Sequence, residues 1–124
     1  MATTQHDLVL PATPASVGQA RRFVAGALAE IGAGALHEVA GLLASEVVTN
    51  AVVHAGGTIR VRVSTGDGTI RIGVEDTSTS HPVPRQASDG DRSGRGLALV
   101  TDLSERWGVE DLEDGKEVWF ELRV

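Results

Sequence analysis

Two stretches of strict alternation limit this chain more than any other feature. Ile59, Val61 and Val63 alternate with Arg60, Arg62 and Ser64, and then Ile70, Ile72 and Val74 alternate with Arg71, Gly73 and Glu75. Successive side chains of a strand point to opposite faces, so Thr58 to Glu75 predicts a hairpin with one apolar and one polar face, turned by Thr65-Gly66-Asp67-Gly68. Two strands cannot shield such a face by themselves. The rest of the chain must therefore cover it or extend it.

The flanking segments have the patterns to do both. Leu8 to Leu10, closed by Pro11, reads as a brief edge strand. Thr13-Pro14 places a capping residue before a proline that suits the first helical position, and the helix that follows runs to about Glu30, ahead of Gly32 and Gly34. A second helix runs from about Leu36 to His54, stopped by Gly56-Gly57. Gly96 to Leu103 reads as a third. Trp107 to Val124 forms a last hairpin turned by Glu113-Asp114-Gly115, with Val118, Phe120 and Leu122 on its apolar face. Five strands and three helices predict an α/β protein of the α+β kind: a two-layer sandwich whose largely antiparallel sheet is covered on one face by helices. At 124 residues, a single domain over 1–124 is expected. Residues 77–93 have no period and are rich in Ser, Pro, Asp and Gly, as expected of a long mobile loop, and loops of that length inside a domain are usually functional or disordered.

Composition narrows the function classes. Aromatic residues are only Phe23, Trp107, Trp119 and Phe120, so aliphatic side chains must build the core. A net charge of −6, from 11 basic and 17 acidic residues, argues against nucleic-acid binding. The absence of cysteine excludes disulfides, thiolate metal sites and a cysteine nucleophile. No run of 18 apolar residues and no signal-peptide pattern is present, so no membrane partner is expected and the cytoplasm is the default location.

Three features carry chemistry. On the second helix, at about 100° per residue, Glu46, Asn50 and Val53 share an arc with Val39, Leu42 and Leu43, opposite His37, Gly41, Ser45, Val48 and Val52. A carboxylate and an amide one turn apart on an apolar arc need a ligand, a metal or a hydrogen-bond network, unless that arc is drawn too wide and they sit at its solvated edge. Asp76 ends the strand that carries Ile70, Ile72 and Val74, where it either accepts a hydrogen bond from an exocyclic amine or simply forms a turn. Ser93-Gly94-Arg95-Gly96-Leu97 puts glycines at a helix mouth, a setting in which backbone N–H groups can reach phosphate oxygens and Arg95 adds charge. There is no Walker A lysine pattern and no complete G-x-G-x-x-G. His54 reads as a core or capping histidine, and Arg21 and Arg22 as a solvated helix face.

Taken in order, Glu46-Val-Val-Thr-Asn50-Ala-Val-Val-His54-Ala-Gly, Asp76 and Gly94-Arg95-Gly96-Leu97 resemble the GHKL ATPase superfamily, with its Bergerat ATP-binding fold. The small size and the Asn-Ala-x-x-His-Ala ending are similar to the stand-alone anti-sigma-factor serine/threonine kinases. The resemblance implies ATP and Mg²⁺ as cofactors. It implies Asn50 as the residue holding the Mg²⁺, Glu46 as the catalytic general base and Asp76 as the adenine reader. Gly94, Arg95, Gly96 and Leu97 would lie along the phosphates, with residues 77–93 as the ATP lid. The implied partners are a sigma factor and a small antagonist protein that is phosphorylated, and a homodimer is admitted. The family often reads Asp-x-Gly-x-Gly after the strand, whereas Asp76-Thr77-Ser78-Thr79-Ser80 has neither glycine. A non-catalytic partner-switch module that holds nucleotide without phosphoryl transfer is the alternative. A phosphorelay domain acting on histidine ranks below both.

Overall fold

The computed structural model describes residues 4–54, 56–77 and 92–124, with side chains from residue 98 onward in the last of these. Five strands, β1 (Gln5–Pro11), β2 (Thr58–Thr65), β3 (Thr69–Asp76), β4 (Arg106–Leu112) and β5 (Gly115–Arg123), form one sheet in the order β1-β2-β3-β5-β4. Every neighbouring pair is antiparallel. Three helices, α1 (Ala15–Glu30), α2 (His37–His54) and α3 (Arg92–Leu103), pack as a layer in which α2 touches both α1 and α3 and also β3.

The alternation read from the sequence becomes rungs across the sheet. Leu8, Val61, Val74, Val118 and Val109 lie in register from one edge to the other, and His6, Val63, Ile72, Phe120 and Trp107 form the next rung. These inner residues meet Ala20, Val24 and Leu28 of α1, Ala40, Leu43, Ala44, Val47 and Ala51 of α2, and Val100 of α3 in one buried cluster. The core is aliphatic, as the scarcity of aromatic residues requires.

Two boundaries differ from the sequence reading. β1 is a full seven-residue edge strand rather than three residues, because its backbone pairs with all of β2 from Gln5↔Ser64 to Pro11↔Thr58. α3 begins at Arg92 rather than Gly96. Gly94 and Gly96 therefore lie inside its first turns instead of ahead of them.

α1 ends as Gly32 permits. This residue has φ +79°, the Ala33 amide donates to Leu28 O at 2.8 Å and the Gly32 amide donates to Ala29 O at 3.3 Å. That is the paired C-terminal hydrogen bonding for which a left-handed glycine is favoured.

α2 is long and apolar enough, by length and composition, to cross a bilayer. Here it is the central core helix, packed on α1, α3 and β3. Its buried side is not the predicted one. Ala40, Leu43, Ala44, Val47 and Ala51 face inward together with Gly41 and Val48, while Val53 is 64% exposed. The stripe is rotated by roughly a third of a turn, because small alanines rather than the larger residues let the helix approach the sheet.

The uncovered face of the sheet is charged. Arg62 meets Asp7, Glu75 and Glu117, and Arg71 meets Glu110, Glu117 and Glu121. The Arg71 guanidinium lies 4.0 Å from the centre of the Trp119 ring. Gly73 and Gly108 flank Trp119 in register, and a Cβ at Gly108 would lie 2.8 Å from the indole. The Glu117 side chain is only 9% exposed, and burial holds its carboxyl above the ordinary value. Arg71 and Arg62 oppose that rise while Glu75 and Glu110 add to it. Folding thus favours the protonated form, so this group's contribution to stability falls as the pH climbs from its ordinary value through its raised one.

Candidate functional site

Helix geometry settles where Glu46 and Asn50 point. With the sheet-facing line of α2 drawn through Ala40, Ala44, Val47 and Ala51, Gly41 and Val48 lie about 80–100° to one side and Asn50 about 80° to the other. The first side is the α1 side, because the Arg21 side chain crosses Gly41, with Cγ 3.2 Å from where a Cβ would stand. Asn50 and Glu46 therefore flank the opposite edge of α2, toward α3, its other helical neighbour. Asn50 is 8% exposed and Glu46 half-buried. They border the apolar stripe rather than interrupt it. Arg21 is exposed as expected, yet its stem is also part of the α1–α2 contact, while Arg22 lies on the exposed face.

α3, whose first residues carry Gly94 and Gly96, is the helix that packs on this edge of α2. Gly94 falls within the first turn, where helical N–H groups lack intrahelical partners and favour anions, whereas Gly96, four residues in from Arg92, lies past those unpaired groups, because its N–H is in place to pair within the helix. The side chains of Arg95 and Leu97 lie outside the described residues, as do residues 78–91 of the lid expected over 77–93, whose last two residues belong to α3. His54 is the exposed last residue of α2.

Asp76 is not a turn residue. It is the last residue of β3, 7% exposed, and its side chain continues the inner-face series of Ile70, Ile72 and Val74. Opposite it in the β3–β5 register stands Lys116, whose Nζ donates to Asp76 Oδ1 at 2.9 Å and Oδ2 at 3.0 Å. The ammonium side chain is 5% exposed and the carboxylate 3%. The apolar rungs of the inner face thus end in a buried ion pair. The hydroxyl of Thr77, the next residue, donates to Gly56 O at 3.2 Å and ties the exit of β3 to the segment leaving α2.

Lys116 escaped the sequence reading. Its signal was parity, since it leads the inner-facing series Lys116, Val118, Phe120 and Leu122, where a lysine needs a partner.

Gly115 holds this corner together. Its φ is +157°, and an added Cβ would press into the Asp76 carbonyl oxygen and lie 2.8 Å from Thr77 Cα. Both obstacles are backbone, so neither yields without opening the β3–β5 seam. Gly115→Ala is expected to destabilise the fold by about 2–6 kcal/mol, the sum of overpacking and backbone strain. Urea denaturation measures this, and an unchanged midpoint would show that the seam tolerates a side chain.

Among the described residues no cluster of three His, Cys, Asp or Glu side chains is poised to hold a metal. Asn50, buried at the α3-facing edge, carries an amide oxygen, a donor of the kind a hard cation such as Mg²⁺ takes. A groove of about 280 Å³ lined by Gln5, Arg62, Ser64, Arg71, Gly73, Glu110 and Glu117 lies on the uncovered sheet face, away from this site.

Comparison with known proteins identifies the family and the fold. Residues 10–122 match the histidine kinase-like ATPase domain family. An uncharacterized protein of Streptomyces coelicolor is 38% identical over 80 residues, covering 60% of this chain and 75% of the relative. The RsbU and RsbW domains of Rv1364c from Mycobacterium tuberculosis superpose with a TM-score of 0.73 at 24% identity, over 97% of this chain and 32% of that one. The histidine kinase domain of a blue-light activated histidine kinase from Erythrobacter litoralis gives a TM-score of 0.55 at 26% identity, over 92% of this chain and 61% of that one. The chain therefore spans about a third and three fifths of the lengths of these two solved structures.

Proposed function

Since the chain belongs to the histidine kinase-like ATPase domain family, we propose that it is an ATP–Mg²⁺-dependent serine/threonine protein kinase that also acts as an anti-sigma factor. In this reading residues 1–124 form one cytoplasmic nucleotide-binding unit. It phosphorylates a small antagonist protein and thereby controls which partner it holds. The observation that carries the reading is the placement of Glu46 and Asn50 together on the α3-facing flank of α2. An amide and a carboxylate then lie one turn apart, on the edge of α2 that faces α3. The match to a structure containing an RsbW domain supports the fold of such a switch.

Each group has a role in this scheme. Asn50 would hold the Mg²⁺, which when bound neutralises phosphate charge. The N–H groups at the start of α3 would take phosphate oxygens. Glu46 would accept the proton of the partner's serine hydroxyl as its oxygen attacks the γ-phosphorus; the new O–P bond forms as the bridging bond to the β-phosphate breaks, releasing ADP. Phosphoryl transfer leans mainly on positioning and electrostatics. Glu46→Gln is accordingly expected to lower transfer by about 10²- to 10⁴-fold, with some residual activity and little change in ATP affinity. Equal rates of phosphoserine formation in the two proteins would remove Glu46 from the role of base.

A second reading draws on a specific observation: Asp76-Thr77-Ser78-Thr79-Ser80 lacks both glycines that often follow this aspartate. In that version nucleotide occupancy sets partner exchange and no phosphate moves. Co-purified partners incubated with labelled ATP decide between the two. Phosphate on a partner serine supports the kinase, and ATP-sensitive complexes without transfer support the switch.

A further inference from the structure

We propose that the free edge of β4 is a self-complementary surface, on which a second copy of this chain pairs antiparallel to join the two sheets into one. The inference is independent of the nucleotide-binding reading. β1 and β4 stand at the two ends of the sheet, and an edge strand offers a row of N–H and C=O groups to another strand. β1 ends in Pro11, which has no N–H to give. β4 runs uninterrupted from Arg106 to Leu112 and contains neither proline nor lysine, the usual guards of such an edge.

A two-fold axis requires each residue to face one that suits it in the other copy. With the axis at Gly108, Arg106 stands opposite Glu110 of the second copy and Glu110 opposite its Arg106, so opposite charges lie directly across the pair at both ends. Both side chains reach solvent, Arg106 at 70% exposure and Glu110 at 61%. Arg106 engages Glu121 through Nε at 2.6 Å, which leaves its terminal amino groups, and Glu110 lies 3.8 Å from Arg71, beyond hydrogen-bond reach. On the inner face Trp107 meets Val109 of the second copy, and the reverse, an aromatic and β-branched pair. Both are half-buried, whereas Phe120 and Val118 beside them on β5 are 0% and 4% exposed, so the pairing covers what one chain leaves bare. At the axis two glycines face each other, and no Cβ crowds the Trp119 indole that lies over Gly108. Other registers fail. An axis at Val109 sets Trp107 against Asp111, one at Trp107 sets Arg106 against Gly108, and a slip of one residue brings inner against outer faces. Beyond the matched segment Asp111 would meet Glu105, so like charges bound the pairing at Arg106 to Glu110.

The test is sedimentation equilibrium of the full chain, with the unmodified form run beside Arg106→Glu, Glu110→Arg and an equimolar mixture of these two variants. The unmodified chain is expected to pass from the 12.9 kDa monomer to twice that mass as its concentration rises. Each single variant sets like charges opposite each other at both ends and should associate roughly ten- to a hundredfold more weakly. The mixture should recover dimers, because the all-acidic edge of one variant then faces the all-basic edge of the other. An unmodified chain that stays monomeric at every concentration overturns the proposal. Single variants that dimerise as well as the unmodified chain also overturn it, as does a mixture that associates no better than its components. Hydrogen exchange on the unmodified chain keeps the proposal refutable even where a variant does not fold. Amides from Arg106 to Glu110 should exchange more slowly at high than at low concentration while those of β1 stay unchanged; slowing at β1 alone would place the contact on the other edge and sink the idea.

Discussion

Asn50→Ala is expected to weaken Mg²⁺-dependent ATP binding by more than about a hundredfold, since loss of a mere outer-shell partner already costs 10- to 100-fold and Asn50 is assigned to the metal directly. The residue is buried on the α3-facing edge of α2, so its amide oxygen is held in place by the helix. Alanine removes that oxygen but keeps helix propensity. Stability should therefore change much less than affinity. Calorimetry with ATP, in Mg²⁺ and in a chelator, separates the two contributions: the substitution should abolish most of the metal-dependent part and leave the weak metal-free part in place. Equal affinities for both proteins in Mg²⁺ would remove Asn50 from the metal and take away the central support for a phosphate site at this edge.

Asp76→Ala is expected to destabilise the fold by about 3–5 kcal/mol, because it leaves the Lys116 ammonium buried without its counter-charge. The double variant Asp76→Ala/Lys116→Met should recover most of that loss, since an apolar pair of similar volume commonly matches or exceeds a buried ion pair in stability. On the proposed function base recognition should not recover, because the acceptor at position 76 is gone. Urea denaturation and ATP titration of the two variants thus move apart: stability returns while affinity stays low. A double variant no more stable than Asp76→Ala would show that Lys116 finds another partner and that the pair is not a unit.

The fold was legible where a pattern repeats locally. Ile59 to Val63 and Ile70 to Val74 announced both strands and their faces, and the glycines at 66 and 68 marked the turn. The segment from Leu36 to His54 announced a helix. Its orientation was harder to read. The larger residues Val39, Leu42 and Val53 suggested one face, whereas Ala40, Ala44 and Ala51 set the other by allowing close approach to the sheet, a packing effect that hydrophobicity alone does not express. The start of α3 was misread because Gly94 and Gly96 suggest a helix mouth, yet glycine is tolerated in a first turn. Asn50, Glu46 and Asp76 stand out in the sequence through their setting on a helix and at a strand end. Lys116 was not, because its meaning depends on β3 lying beside β5, a pairing between segments far apart in sequence.

That separation bears on how the molecule assembles. The rung closed by Lys116 and Asp76 joins residues 40 positions apart, whereas the β2–β3 and β4–β5 hairpins turn locally. Long loops are closed at an entropic cost that must be met before the contact rewards it, so the β3–β5 seam is expected to zip after its two hairpins have formed. On the proposed function, a chain with only its local elements in place would carry Asn50 on α2 and yet lack Asp76 in its buried setting. Nucleotide would then recognise only the zipped molecule, and by mass action it should slow the departure of the C-terminal hairpin from β3. In kinetic terms ATP would be a latch on the last step of folding, and the first amides to exchange faster when it leaves should be those along that seam, from Val74 to Asp76 and from Lys116 to Val118.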